Sequence, residues 1–165
     1  MSILKFQYKY HLTEDGKGTF RPTVDCVIGG LIFSIEAIID TGSPTSVFHS
    51  SILLHLPKHD DKNPDVKTKY LKGIGSKDGK IPATEHTETI KFLRKKEYGR
   101  IELKDATLFF SKDISPDIAI IGTDLIPQIG DYIEYGSDNS KDRKFILSNN
   151  YYVRSLIKLI DKFAS

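Results

Sequence analysis

An aspartate at the end of an apolar segment is the residue of this sequence with the clearest chemistry. The tetrapeptide is Asp40-Thr41-Gly42-Ser43. Apolar residues recur with a period of two over 31–39, which is typical of a strand. The Thr-Gly turn would bring backbone N–H groups to the carboxylate and hold it over a hydrophobic floor, as general acid–base catalysis requires. The same residue types also form ordinary turns, so the motif needs support from its surroundings.

A second apolar segment ends in a glycine much later in the chain. Ile120 and Ile121 precede Gly122 there. Taken alone, this is the pattern of a buried strand that ends in a glycine turn.

Between these two segments, residues 66–84 have the pattern of a hairpin with a glycine-rich tip. The tip contains Gly73, Gly75 and Gly79. Glycine permits positive φ and close approach of the backbone to a ligand. A plain surface hairpin fits this stretch equally well. A phosphate-binding loop does not, because the glycine spacing matches neither nucleotide-binding pattern.

The alternation of apolar residues predicts a mostly β chain. Strands are expected over 1–10, 20–28, 31–39, 87–93, 100–110, 132–135 and 144–147. A short helix is expected over 49–56, ended by Pro57. The apolar spacing over about 152–163 is that of an amphipathic C-terminal helix.

The three segments, in this order, resemble the retroviral-type aspartic peptidases, the retropepsins, over roughly 20–147. The resemblance implies an all-β acid-protease barrel with a short helix after the Ile-Ile-Gly segment. It makes Asp40 the catalytic residue, and it makes the hairpin the flap that closes over a peptide. The substrate-binding and flap residues that it implies are Gly73, Ile74, Gly75, Ile121 and Gly122. Ile121 would line a pocket, and Gly122 would permit tight packing against the active-site loop.

The same resemblance gives roles to the residues that support the catalytic loop. Thr41 would hydrogen-bond across a subunit interface, and Gly42 would offer its carbonyl to the substrate. Ser43 would support the carboxylate with its hydroxyl, which favours the ionised acid and extends activity below neutral pH.

A single Asp-Thr-Gly motif implies a homodimer. Aspartic peptidases activate water between two carboxylates that share one proton, and this chain supplies one. A two-fold dimer would bring Asp40 of both subunits together. The expected activity is hydrolysis of an extended peptide or protein substrate, bound by strand addition, without a cofactor or metal. The alternatives are an inactive retropepsin-like peptide-binding or assembly module, and an unrelated all-β protein.

Two departures from the family pattern stand out. The acidic residue and the arginine that form an ion pair in many retroviral enzymes are replaced here by Pro44 and Thr123. Dimer stability is therefore expected to come from the N-terminal strand or the C-terminal helix. Residues 53–65 and 94–99 also look like insertions relative to minimal viral enzymes.

Composition sets limits on the other functions. A chain of 165 residues with net charge +2 fits a single domain and gives no strong field for nucleic acid or membranes. No apolar run is long enough to span a membrane.

The lone Cys26 allows no intrachain disulfide and should be a small buried hydrophobe. The reducing cytoplasm is therefore expected, although a trimmed precursor could have carried an export signal. His55 and His59 would suit a metal poorly, because Pro57 interrupts their spacing.

Overall fold

The computed structural model describes residues 3–12, 18–57, 67–72, 79–93, 101–129, 131–135 and 144–148. Strands dominate these residues, as the alternating pattern predicts. The strands are β1 (Ile3–Leu12), β2 (Gly18–Ile28), β3 (Ile35–Ile39), β4 (Val47–His49), β5 (Thr68–Lys72), β6 (Lys80–Phe92), β7 (Ile101–Ser111), β8 (Ile120–Ile121), β9 (Asp131–Tyr135) and β10 (Lys144–Ser148). A 3₁₀ helix spans Ser50–His55, and the short helix α1 spans Ile126–Ile129.

The strands form one mixed sheet in the order β5-β6-β7-β4-β8-β3-β2-β1-β10-β9. An additional pairing of β2 with β6 joins the strands from β6 to β2 into a closed ring. The fold is therefore mainly β, and α1 follows the Ile-Ile-Gly segment where a short helix was predicted. The predicted C-terminal helix over 152–163 lies outside the described residues.

Several predicted strands differ in length from the observed ones. The segment 31–39 forms a strand only from Ile35, because the Leu31 N–H donates to the Ile28 carbonyl at 3.1 Å and makes a tight turn. The far arm of the glycine-rich hairpin and the predicted strand 87–93 form one continuous strand, β6. The predicted helix over 49–56 is a 3₁₀ helix, whose first turn is capped by the His49 ring accepting from the Ser51 N–H.

The buried apolar residues form two clusters on opposite faces of the sheet. The main cluster contains Phe48 and Phe110, whose rings lie 5.8 Å apart. Val47, the neighbour of Phe48 in β4, belongs to a second cluster. Adjacent residues of a strand point to opposite faces, so β4 separates the two clusters. The second cluster consists of Val47, Leu71, Ile81, Ala83, Ile114 and Ile120.

Cys26 lies in the main cluster with no exposed surface, which confirms the prediction that it is a buried hydrophobe. Burial, with a smaller contribution from the Asp25 carboxylate, raises the pKa of its thiol to about 12. The buried environment therefore favours the neutral thiol over the reactive thiolate.

The strands near the two ends of the chain, β1 and β10, pair with each other within the same subunit. β10 lies between β1 and β9, and both pairings are antiparallel. The predicted late hairpin is thus present as β9 and β10. The pairing of β1 with both β2 and β10 joins the hairpin to the ring of strands.

Candidate active-site loop

The two sequence motifs meet at one end of a parallel strand pair. Strands β3 and β8 run in parallel, with Ile38 opposite Ile120 and Ile39 opposite Ile121. The Asp40 N–H continues this pairing by donating to the Ile121 carbonyl at 2.9 Å. Two segments that are more than 80 positions apart in the chain therefore end side by side.

The loop 40–46, called here the Asp40 loop, orients its aspartate through backbone groups. The Gly42 N–H donates to Oδ1 of Asp40 at 2.9 Å, and the Ser43 N–H donates to the Asp40 carbonyl at 3.1 Å. Asp40 is half-buried, whereas Thr41 and Gly42 are exposed. The carboxylate is thus held in a fixed direction while it can still be reached from outside.

Ser43 differs from its predicted role. Its side chain is buried, and its hydroxyl donates to the Thr45 carbonyl at 2.8 Å. A hydroxyl has one proton to donate, so it is not available to the Asp40 carboxylate. Ser43 therefore supports the loop rather than the acid, and the expectation of activity at lower pH loses the hydrogen bond on which it rested.

Gly122 is packed against the backbone of the Asp40 loop. A Cβ atom at this position would lie 2.7 Å from the Ser43 carbonyl oxygen and 2.7 Å from the Thr45 carbonyl carbon. Those are backbone atoms, which cannot move aside cheaply, so only glycine fits. The next residue, Thr123, donates to the Ser43 carbonyl from its N–H at 2.8 Å and from its hydroxyl at 3.2 Å.

Two further residues that sequence analysis missed tie the same segments together. Ser46 donates from its N–H to Oδ2 of Asp124 at 2.8 Å and from its hydroxyl to Oδ1 at 2.6 Å. The Ser46 hydroxyl also accepts from the Gly122 N–H at 2.9 Å. The only hint in the sequence is that Ser46 and Asp124 each lie within four residues of a motif glycine. Many residues share that property, so it could not have identified these two.

Ile121 does not line a pocket in this structure. It is fully buried in the main cluster, whereas Ile120 points to the other face of β8 and belongs to the second cluster. The prediction for Ile121 is therefore corrected: its side chain offers no surface to a ligand. Ile120 is the residue of this pair that lies on the same face as the hairpin.

The glycine-rich hairpin contributes side chains of both its arms to the second cluster. Its described arms, β5 and β6, pair antiparallel from Thr68 opposite Thr84 to Lys72 opposite Lys80. Leu71 and Ile81 face the second cluster together with Val47 of β4, the residue that follows the Asp40 loop. The predicted flap residues Gly73, Ile74 and Gly75 lie outside the described residues.

A scan against protein-family models and a search of curated proteins find no match to this chain. Within the ranges described, no group of three or more His, Cys, Asp or Glu side chains could hold a metal ion. No helix of the same ranges has the length and apolar character needed to cross a membrane.

Proposed function

We propose that this chain is a retropepsin-like aspartic endopeptidase that acts as a homodimer. The observation that carries the proposal is the geometry at Asp40: an accessible carboxylate at a strand end, oriented by the Gly42 N–H and fixed beside Gly122 by backbone packing. The order of elements after this loop, with a hairpin, a second apolar strand and a short helix, agrees with a retropepsin fold.

The proposed reaction needs two copies of Asp40. One ionised carboxylate takes a proton from water, whose oxygen attacks the scissile carbonyl carbon, while the second, protonated carboxyl group gives its proton to the carbonyl oxygen. As the C–N bond of the resulting diol breaks, the departing nitrogen receives a proton from one Asp40, and the other Asp40 carboxylate takes a hydroxyl proton from the diol, which restores the single shared proton. The two carboxyl groups can share one proton because two adjacent carboxylates cannot both ionise cheaply.

The dimer follows from the half-site in each chain. Thr41 is exposed beside Asp40, as is Pro44 further along the loop, so this surface is available to a second copy. Thr123, which replaces the arginine of the retroviral ion pair, donates its hydrogen bonds within the chain. The Asp40 loop is therefore braced inside each subunit, and the dimer is proposed to rest on other contacts.

Substrate binding is proposed to use the hairpin as a flap. An extended peptide would lie between the hairpin and the Asp40 loop and add a strand through its backbone. The second cluster supports this arrangement, because it packs the base of the hairpin onto strands β4 and β8, which flank the loop.

The test compares the purified chain with its Asp40→Asn variant. Both are incubated with a denatured protein from acidic to neutral pH, with and without pepstatin, while sedimentation measures the mass in solution. We expect pepstatin-sensitive cleavage by a dimer and a loss of at least about 10³-fold in the variant. Equal cleavage by both chains would contradict the proposal. An intact dimer that cleaves nothing, in a buffer where pepstatin binds it, would favour a peptide-binding module.

A further inference from the structure

The half-buried Asp124 carboxylate accepts three hydrogen bonds from described neighbours. Its Oδ2 accepts from the Ser46 N–H, and its Oδ1 accepts from the Ser46 hydroxyl and from the Leu125 N–H at 2.9 Å. Ser46 is fully buried. Hydrogen bonds to a charged acceptor are shorter and stronger than neutral ones, and the 2.6 Å separation of the hydroxyl from Oδ1 has that character.

These bonds extend to the glycine that touches the Asp40 loop. The Gly122 N–H can only donate, so the Ser46 hydroxyl must accept it and direct its own proton to Asp124. The direction of the chain of hydrogen bonds is therefore fixed from Gly122 through Ser46 to Asp124. We call these three residues the Asp124 clasp.

The clasp holds one end of the Asp40 loop. The loop begins at Asp40, whose N–H is bonded to Ile121, and it ends at Ser46, which is bonded to Asp124. Both ends are thus attached to the same short segment, 121–124. A loop attached at both ends to one rigid segment has little freedom to change the direction of its aspartate.

We propose that Asp124 is a positioning residue, which acts through Ser46 and Gly122 to fix the Asp40 loop for catalysis. This inference rests on the proposed peptidase function for its catalytic consequence, although the clasp itself can be measured without activity. Asp124 is not proposed to touch the substrate.

The Asp124→Asn variant is the sharpest probe, because it keeps the shape of the side chain and replaces one acceptor oxygen by a donor. Whichever way the amide turns, its NH₂ group meets either the Ser46 N–H or the Leu125 N–H, and two donors cannot pair. One N–H of a buried residue, Ser46 or Leu125, therefore loses its partner, and the change is confined to this network.

Amide hydrogen exchange measures the clasp directly. In Asp124→Asn we expect the Ser46 and Gly122 amides to exchange about 5- to 100-fold faster, the range for one unsatisfied buried group, while amides of the main cluster keep their protection. Asp113→Asn makes the same chemical change at an exposed site and should leave both amides unchanged. Equal exchange in wild type and Asp124→Asn would overturn the clasp.

Kinetics test the catalytic consequence. The expected result for Asp124→Asn is a fall in kcat of at least about tenfold with little change in KM, since a misplaced acid impairs the chemical step rather than binding. Loosened amides with an unchanged kcat would overturn the positioning role. If Asp124→Asn does not fold, Ser46→Ala serves instead, because it removes the hydroxyl without adding volume; it should loosen Gly122 and lower kcat in the same way.

Failure of the proposed peptidase function would give different results from failure of the clasp. If wild type and Asp40→Asn cleave equally, the peptidase assignment falls, and with it the catalytic role of Asp124. Faster exchange at Ser46 and Gly122 would then still establish the clasp as a structural device.

Discussion

Strand β3 lies between two glycine-containing turns that are held in different ways. Before it, the half-buried Gly29 and the exposed Gly30 lie beside side chains of Leu56, Pro57 and Glu88, and the Gly29 N–H donates to the Thr89 carbonyl at 2.7 Å. At its end, the Asp40 loop is held by backbone amides, backbone carbonyls and the Asp124 carboxylate. Side-chain packing tolerates small shifts, whereas directional hydrogen bonds fix atoms to a few tenths of an ångström. Both turns have backbone hydrogen bonds, but the end that carries the candidate catalytic residue has more of them, and it adds two bonds from Ser46 to the Asp124 carboxylate.

The exposed groups differ between the two ends as well. The first turn presents Ile32, which is fully exposed, and Phe33, whose ring meets His55 edge-on at 5.5 Å. The Asp40 end presents Thr41, Gly42 and Pro44 around a carboxylate. An apolar surface suits contact with another apolar surface, whereas an oriented acid suits proton transfer.

Labelling of Cys26 tests how well water is excluded from the core near the start of β3. It has the largest expected effect of the tests described. Cys26 lies opposite Ile35 at this end. Because the pKa of its thiol is raised from 9.0 to about 12, its thiolate fraction near pH 8 falls about 1,000-fold. Iodoacetamide labelling, followed by mass spectrometry, should be slow in the folded chain and rapid in guanidinium.

The same shift gives a pH dependence of stability. The unfolded thiol ionises first as the pH rises, so the stabilisation from neutral Cys26 is present below pH 9.0 and is lost progressively as the pH approaches about 12. A Cys26→Ala variant should show a weaker loss over this range in denaturant titrations. Rapid labelling of the native chain at pH 8 would contradict the burial of the thiol.

Paired glycine substitutions compare the two ends directly. Gly122→Ala puts a Cβ 2.7 Å from two backbone atoms, whereas Gly30→Ala puts one 2.9 Å from the Pro57 ring. Only the proline ring can adjust. We expect Gly122→Ala to cost about 3 kcal/mol of unfolding free energy and to lower cleavage about 100-fold. Gly30→Ala should cost about 1 kcal/mol and keep its activity, as urea titration and a cleavage assay can determine.

Gly29→Ala separates backbone strain from packing at the first turn. Gly29 has φ of 56°, in the left-handed region, where an L residue pays about 1–2 kcal/mol. The contacts of its Cβ would be with the ends of the Glu88 and Leu56 side chains, which can move. Thermal unfolding should detect this loss while kcat stays unchanged; a lowered kcat would mean that the two turns are coupled through β3.

Ile32→Ser should have the smallest effect. Its side chain is fully exposed, so stability should change by less than about 0.5 kcal/mol. Denaturant midpoints of wild type and variant measure this. A larger loss would mean that Ile32 is covered in solution, and comparing sedimentation of the two chains would identify self-association as the cause.

Much of the fold was predictable because strands have a local signature. The period-two pattern located β1, β2, β7 and the late hairpin to within a few residues. It overestimated β3, since the turn that begins it is set by a hydrogen bond from Leu31 to Ile28. The closure of the ring by β2 and β6 could not be predicted, because a strand pattern does not specify its partners.

The candidate site likewise has some features that residue types predict and others that only the folded chain specifies. The Asp40 tetrapeptide and the Ile-Ile-Gly segment could be identified from residue types alone, since both depend on a local turn. The partner of the Ser43 hydroxyl could not, because the Asp40 carboxylate and the neighbouring carbonyls are all close to it in the sequence and only the folded loop selects Thr45. The choice between Ile120 and Ile121 as the residue facing the hairpin also required the orientation of β8.

By itself, the sequence determined which residues can do chemistry and which segments can be strands, because residue type and periodicity are properties of the chain. Only the tertiary structure decided that Ser46 and Asp124, 78 positions apart, share their hydrogen bonds, and that Gly122 must lack a side chain. Those facts depend on contacts between distant segments, which exist only once the strands have paired.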